Sequence, residues 1–245
     1  LSTEIIAHRG ASKLAPENTI PAFQLAYEAG ADGIETDVHL TKDNIPILIH
    51  DERLKRTTDG SGYIKDYTFE QLKQLDAGSW FSPEYTGSKL ISLEEFLQWI
   101  QDKPLCLNIE LKNNKIDYKN LENIVYEVIY HYQIVKRATL STFNPKSVER
   151  LKQYNQDIEV ALLTSRRSKN LVLRAKDLGA NALHIKYRLL NQLLVDKAHQ
   201  ENMAVRVYTV NKPAHMQRCF KMGCDSIFTD VPHEALQYRD HLIHK

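Results

Sequence analysis

The fold class the sequence predicts is α/β, a somewhat distorted TIM (β/α)8 barrel. Two observations lead there. Short β-branched runs alternate with longer helical patterns almost from end to end, and about eight such units suit 245 residues. Most of the strand-like runs end in an ionisable or strongly polar residue, and chemistry in such a barrel sits at the carboxyl ends of its strands. A doubly wound open sheet gives the same alternation and stays open as the competitor.

The strand-like runs are 4–8, 33–38, 45–50, 104–110, 138–142, 158–163, 181–185, 204–209 and 225–229. Helical patterns lie at 19–29, 92–101, 119–131, 145–154, 168–178, 190–201 and 213–222. Ser92 with Glu95 makes a capping box, Asn144–Pro145 reads as N-cap and first helical residue, and Gly30, Gly179 and Gly223 stand where helices stop. Nine runs compete for eight places. The link between 33–38 and 45–50 is too short for a helical crossover, so these two form a hairpin. A turn at Lys42–Asp43 would set His50 opposite Glu35. Residues 51–91 break the rhythm and read as a small insertion, with a short helix near 68–75, within a single domain spanning 1–245.

Composition narrows the function classes. Lys plus Arg is 32 against 31 Asp plus Glu, so the net charge of +1 lacks the basic excess of a nucleic-acid binder. No run approaches the ~18 apolar residues of a membrane-spanning helix, and membrane insertion is not expected. No charged-then-apolar leader opens the sequence. Cys106, Cys219 and Cys224 are too few for a disulfide framework and read as packing residues. A reduced, cytoplasmic setting is the expectation. Oligomeric state is not legible.

The polar strand ends supply the candidate site. Glu35 and Asp37 are two apart, hence on one face of a strand, and Glu110 ends a later run. Three such carboxylates either pair with rim cations or hold a cation that takes oxygen ligands, Mg²⁺ or Ca²⁺ rather than Zn²⁺. His8 and His50 are either satisfied strand-end histidines or a general acid and base. His39 shares the face of Glu35 and Asp37. His184 is a possible substrate contact. The remaining histidines, His131, His199, His215, His233, His241 and His244, fall on helices or the tail. Arg9 and Lys112 would suit a phosphate or simply balance the carboxylates.

These residues sit in motifs that resemble the glycerophosphodiester phosphodiesterases. The match runs through HRGASKLAPENT at 8–19, IETDVHLTKDNIPILIHD at 34–51, LKRTTDGSGYI at 54–64 and LDAGSWF at 75–81. It continues in NIELK at 108–112, STFN at 141–144, VYTVN at 207–211 and IFTDVP at 227–232. No single motif is decisive; their order and spacing are. The resemblance implies a TIM barrel with a small insertion after the strand ending in His50. It implies His8 and His50 as the catalytic pair, and Glu35, Asp37 and Glu110 as ligands of Mg²⁺ or Ca²⁺. It implies Arg9 and Lys112 on the phosphate, with Tyr208 lining the pocket. Phe143 and Trp80 are further candidates for an apolar lip. Asn18 reads first as a helix N-cap and second as a site residue. Ile91 where relatives often carry Pro, the longer Ser141–Asn144 segment, and Tyr208 where many carry Trp are departures in loop shape and pocket size. None removes a catalytic group.

The implied reaction is hydrolysis of a small glycerophosphodiester to glycerol 3-phosphate and an alcohol. The glycerol 2-hydroxyl attacks phosphorus while the two histidines move protons, and water then opens a cyclic glycerol phosphate; direct attack by a metal-bound water is the other route. A lysophospholipase D on the same fold, a non-catalytic phosphate- or glycerophospholipid-binding barrel, and an aldolase or isomerase with Lys186 as its strand-end lysine are the alternatives.

Overall fold

Eight parallel strands close on themselves in the computed structural model, which describes residues 3–154 and 157–243. In chain order the strands are β1 (Glu4–His8), β2 (Gly33–Leu40), β3 (Pro46–Leu48), β4 (Cys106–Leu111), β5 (Ala138–Thr142), β6 (Glu159–Thr164), β7 (Ala182–Lys186), β8 (Ala204–Tyr208) and β9 (Ser226–Thr229). The helices are α1 (Ile20–Glu28), α2 (Phe69–Lys73), α3 (Leu93–Ile100), α4 (Leu121–His131), α5 (Pro145–Tyr154), α6 (Leu171–Asp177), α7 (Gln192–Gln200), α8 (Pro213–Lys221) and α9 (Pro232–Ile243). Pairing of β1 with both β9 and β2 closes the ring and excludes the open doubly wound sheet.

Alternation along the strands divides two environments. In β1, Ile5 and Ala7 are fully buried in the layer shared with the helices. Glu4, Ile6 and His8 border cavities inside the ring. β8 repeats this, with Val205 and Val207 outward and Arg206 and Tyr208 inward. Inside-facing residues are therefore the ones free to be polar.

Helix ends follow local chemistry. Ser92 accepts from the Glu95 amide and Glu95 returns the bond to the Ser92 amide, the capping box expected there. Asn144 Oδ1 accepts from the Lys146 amide at the start of α5. Gly30, Gly179 and Gly223 follow α1, α6 and α8 with positive φ. Helix α9 was not among the expected helices, although Pro232 at its first position is a start signal. No helix among the described residues is long and apolar enough to cross a membrane. His244 lies outside the described residues.

The ninth run does leave the barrel. β3 pairs antiparallel with β2, but in a register one residue away from the expected one: Val38 faces Leu48, His39 faces Ile47 and Leu40 faces Pro46. The cause is the turn. Thr41 and Ile45 are joined by a backbone bond around three residues rather than two, and Asn44 takes a left-handed φ of 61°. The ladder ends at Leu48, so His50 is not paired opposite Glu35. After β3, Ile47, Ile49, Leu54, Ile64, Leu72, Ala77 and Leu90 form a small second hydrophobic cluster. Gly78 is obligatory there, because a Cβ would lie 1.9 Å from the Tyr85 carbonyl oxygen.

Candidate active site

The carboxyl ends of the strands meet around a cavity of about 340 Å³ bordered by His8, Arg9, Glu35, His50, Glu110, Lys112, Phe143, His184 and Tyr208. All nine were singled out from the sequence; Asp37, singled out with them, is not on the border and lies among the carboxylates.

Glu35, Asp37 and Glu110 are buried and each offers an oxygen within 4.8 Å of the others. β2 supplies the first two by its period of two. β4 supplies the third, because Asp37 registers directly against Glu110. Such a cluster is under strain without a counter-charge. Burial pushes the Glu35 carboxyl well above the usual range, and the charges of Asp37 and Glu110 push it further. Burial would raise Asp37 too, but Arg9 and Lys112 hold it below its ordinary range. Arg9 Nε lies 3.3 Å from Asp37 Oδ2, and Lys112 Nζ lies 3.7 Å from Asp37 Oδ1 and 2.7 Å from Glu110. Asp37 Oδ1 is buried and accepts no hydrogen bond. An ionised oxygen left bare in the interior is costly unless something else coordinates it. The donor set is oxygen only, which suits Mg²⁺ or Ca²⁺.

Arg9 is placed by an uncommon backbone. Arg9 and Gly10 both take positive φ, 59° and 83°. A Cβ at Gly10 would come within 2.6 Å of the Ala22 backbone, so the loop is pressed onto α1. The turn aims the Arg9 amide at Glu35 Oε2, 3.0 Å away, and its guanidinium at Glu17, 2.9 Å away.

Each histidine has its own carboxylate. His8 Nδ1 lies 2.7 Å from Asp230 Oδ1, and His50 Nδ1 lies 2.7 Å from Asp51 Oδ1. Burial tends to raise Asp230, but hydrogen bonds from His8, Asn211 and Ser12 bring it down to about 2. Hydrogen bonds from Arg56 and His50 hold Asp51 low. An ionised carboxylate only accepts, so both Nδ1 atoms carry the proton. That leaves each Nε2 outside the aspartate pairing, and His8 Nε2 stands 4.0 Å from Glu35. His50 is held from behind as well. Its carbonyl accepts from Nε2 of His39, whose Nδ1 bonds the Tyr118 hydroxyl. Burial drops His39 to about 4, so it is a neutral strut rather than a proton carrier.

Asp230 and Asp51 were missed as partners, although both close strand-end motifs. Arg56 was missed too: it bridges Glu17 and Asp51 with four hydrogen bonds. Asn18 is not the N-cap of α1; Thr19 holds that position. Asn18 is buried at a φ of 58° and donates to Asp37 Oδ2 at 3.0 Å, while its Oδ1 accepts from Thr36. Tyr208 and Phe143 pack edge to face at 6.2 Å between centroids, and the Tyr208 hydroxyl donates to the Thr164 carbonyl. His184 lies fully buried beneath the cavity, its Nε2 3.2 Å from Arg206. Trp80 does not border this cavity.

Comparison with known proteins gives one answer. The model of the glycerophosphoryl diester phosphodiesterase family matches residues 8–234. The chain is 38% identical over 232 residues to a glycerophosphodiester phosphodiesterase of Caldanaerobacter subterraneus, covering 95% of this chain and 96% of that one. It is 38% identical to one of Bacillus altitudinis, covering 98% and 99%. An Oleispira antarctica phosphodiesterase, solved in complex with the product sn-glycerol-3-phosphate, superposes with a TM-score of 0.89 at 31% identity, over 97% of this chain and 96% of that one.

Proposed function

The chain belongs to the glycerophosphoryl diester phosphodiesterase family, whose activity is glycerophosphodiester hydrolysis, and we propose that His8 and His50 perform it here as a general acid–base pair. The observation that carries this reading is the pairing of each Nδ1 with an ionised aspartate, which leaves two Nε2 atoms free on histidines that border one small cavity. One Nε2 takes the proton of the glycerol 2-hydroxyl as its oxygen attacks phosphorus. The other gives a proton to the departing alcohol oxygen as its bond to phosphorus breaks. A cyclic glycerol phosphate results. Water opens it with the histidines in exchanged roles, yielding glycerol 3-phosphate.

Glu35, Asp37 and Glu110 would hold a divalent cation, Mg²⁺ or Ca²⁺. When bound, such an ion supplies Lewis-acid stabilisation of phosphate oxygens and of an ionising hydroxyl. The bare Asp37 Oδ1 and the raised Glu35 support that fit. Arg9 and Lys112 face the charge that builds on the equatorial oxygens. Phe143 and Tyr208 give the glycerol carbons an apolar wall, and His184 closes the cavity from below.

The test is release of glycerol 3-phosphate from glycerophosphocholine and glycerophosphoglycerol. Release should vanish in EDTA, return with Mg²⁺ or Ca²⁺, and need a higher metal concentration in Glu110→Gln. Undiminished release in EDTA, or an unchanged metal titration in the variant, defeats the cation assignment. No release with any metal defeats the hydrolase reading for these diesters.

A further inference from the structure

Resting on the hydrolase reading, we propose that a second cavity beside His50 is a subsite for a leaving alcohol that carries its own phosphate group. This cavity is about 800 Å³ and shares His50, Lys112, Phe143 and Leu163 with the catalytic one. A diester held at His8 and His50 therefore has a continuous path into it for whatever lies beyond the phosphorus.

The charges along that path do not cancel. Two acids border the cavity, and both are engaged. Asp51 is bound by Arg56 at 2.8 Å and by His50 at 2.7 Å. Glu52 is bound by Lys115 at 3.2 Å. Three cations on the same border have no carboxylate partner among the described residues. Arg53 instead lies over the Tyr63 ring at 4.1 Å and donates to its hydroxyl. Arg166, in the loop after β6, and Arg174, on α6, form no ion pair at all among the described residues and are exposed. Three unpaired guanidinium groups make a field that attracts an anion and repels a cationic headgroup. Guanidinium forks match phosphate oxygens in pairs. A quaternary ammonium needs several aromatic faces around it, and Phe143 is the one aromatic residue on this border.

The experiment uses a matched pair, glycerophosphoinositol and glycerophosphoinositol 4-phosphate, which differ by one phosphate on the leaving alcohol. The phosphorylated diester should show a kcat/KM higher by ~10-fold or more at low salt, the scale of one or two charge-assisted hydrogen bonds. The advantage should lie in KM and shrink as salt rises. In Arg166→Gln/Arg174→Gln the ratio between the two substrates should fall towards one, and Arg166→Lys/Arg174→Lys should restore part of it. A ratio at or below one in the parent, or an unchanged ratio in the Gln variant, overturns the subsite. If inorganic phosphate alters glycerophosphoinositol turnover in the parent but not in the Gln variant, the arginines serve a free anion and the leaving-group assignment falls. Hydrolysis of neither diester with metal present overturns the underlying hydrolase reading, a result distinct from hydrolysis of both at equal rates.

Discussion

Both ends of the barrel interior carry charges, part-buried or exposed at the amino end and mostly buried at the carboxyl end, and the two ends treat them differently. At the amino end, Arg206 donates to Glu159 at 2.6 Å, Thr139 donates to the same oxygen at 2.6 Å, and Ser226 donates to Glu4 at 2.9 Å. The Glu159 carboxyl, which burial would raise, is brought below its ordinary range by Arg206. At the carboxyl end, three carboxylates face two cations, one carboxylate oxygen is bare, and Glu35 is driven upward. At the floor the charged groups find their partners within the chain. The mouth leaves one carboxylate oxygen without a hydrogen-bond partner. Polar residues in a barrel interior thus divide by whether their partners belong to the chain.

The largest effect that sharpens this contrast is on catalysis. His8→Ala or His50→Ala should lower kcat/KM by about 10²–10⁴, with circular dichroism and melting temperature close to the parent's. Activity within tenfold of the parent would break the assignment of the mouth. At the floor the pattern should invert. Arg206→Leu removes the main partner of Glu159 and should cost about 2–3 kcal/mol in urea unfolding, below the range for a fully buried pair because this one is part-buried and Glu159 keeps Thr139 and some water. Adding Glu159→Gln should recover part of that loss, and the metal-loaded enzyme should turn over normally per folded molecule. A floor variant that kills catalysis without destabilising the fold would erase the distinction between the two ends.

The barrel was legible because its physics is periodic: every strand and every major helix but α9 announced itself by β-branched runs, caps and glycine stops. The site was legible because polar residues at strand ends are out of place in a bland barrel. What escaped depended on contacts that periodicity does not carry. Asp230 reaches His8 across 222 positions, and only ring closure brings them together. Arg56 links Glu17 to Asp51 from a segment with no regular pattern. The hairpin register slipped because Lys42-Asp43-Asn44 permits a two- or a three-residue turn. Asn44, a residue that tolerates left-handed φ, was the available signal for the longer one. Asn18 has the residue type of an N-cap, but burial beside Asp37 gave it other work.

The smallest effect concerns Asp230, which belongs to the mouth yet is fully partnered by the chain. It accepts from His8 at 2.7 Å, Ser12 at 3.1 Å and Asn211 at 2.6 Å, on the loop packed against β1 and β9. Burial opposes ionisation, but these bonds bring the carboxyl down to about 2. Its unfolded value is ~3.9. A carboxyl depressed in the fold contributes stability above its unfolded value and loses it as pH falls through the folded one. The contribution should be about 2 kcal/mol near neutral pH and fade between roughly pH 4 and pH 2. Urea unfolding of the parent and of Asp230→Asn should therefore differ by about that amount at pH ~6 and converge by pH ~2. A difference that stays constant across that window would show that Asp230 acts through shape alone. His8 would then owe its orientation to packing, and this part of the mouth would behave like the floor.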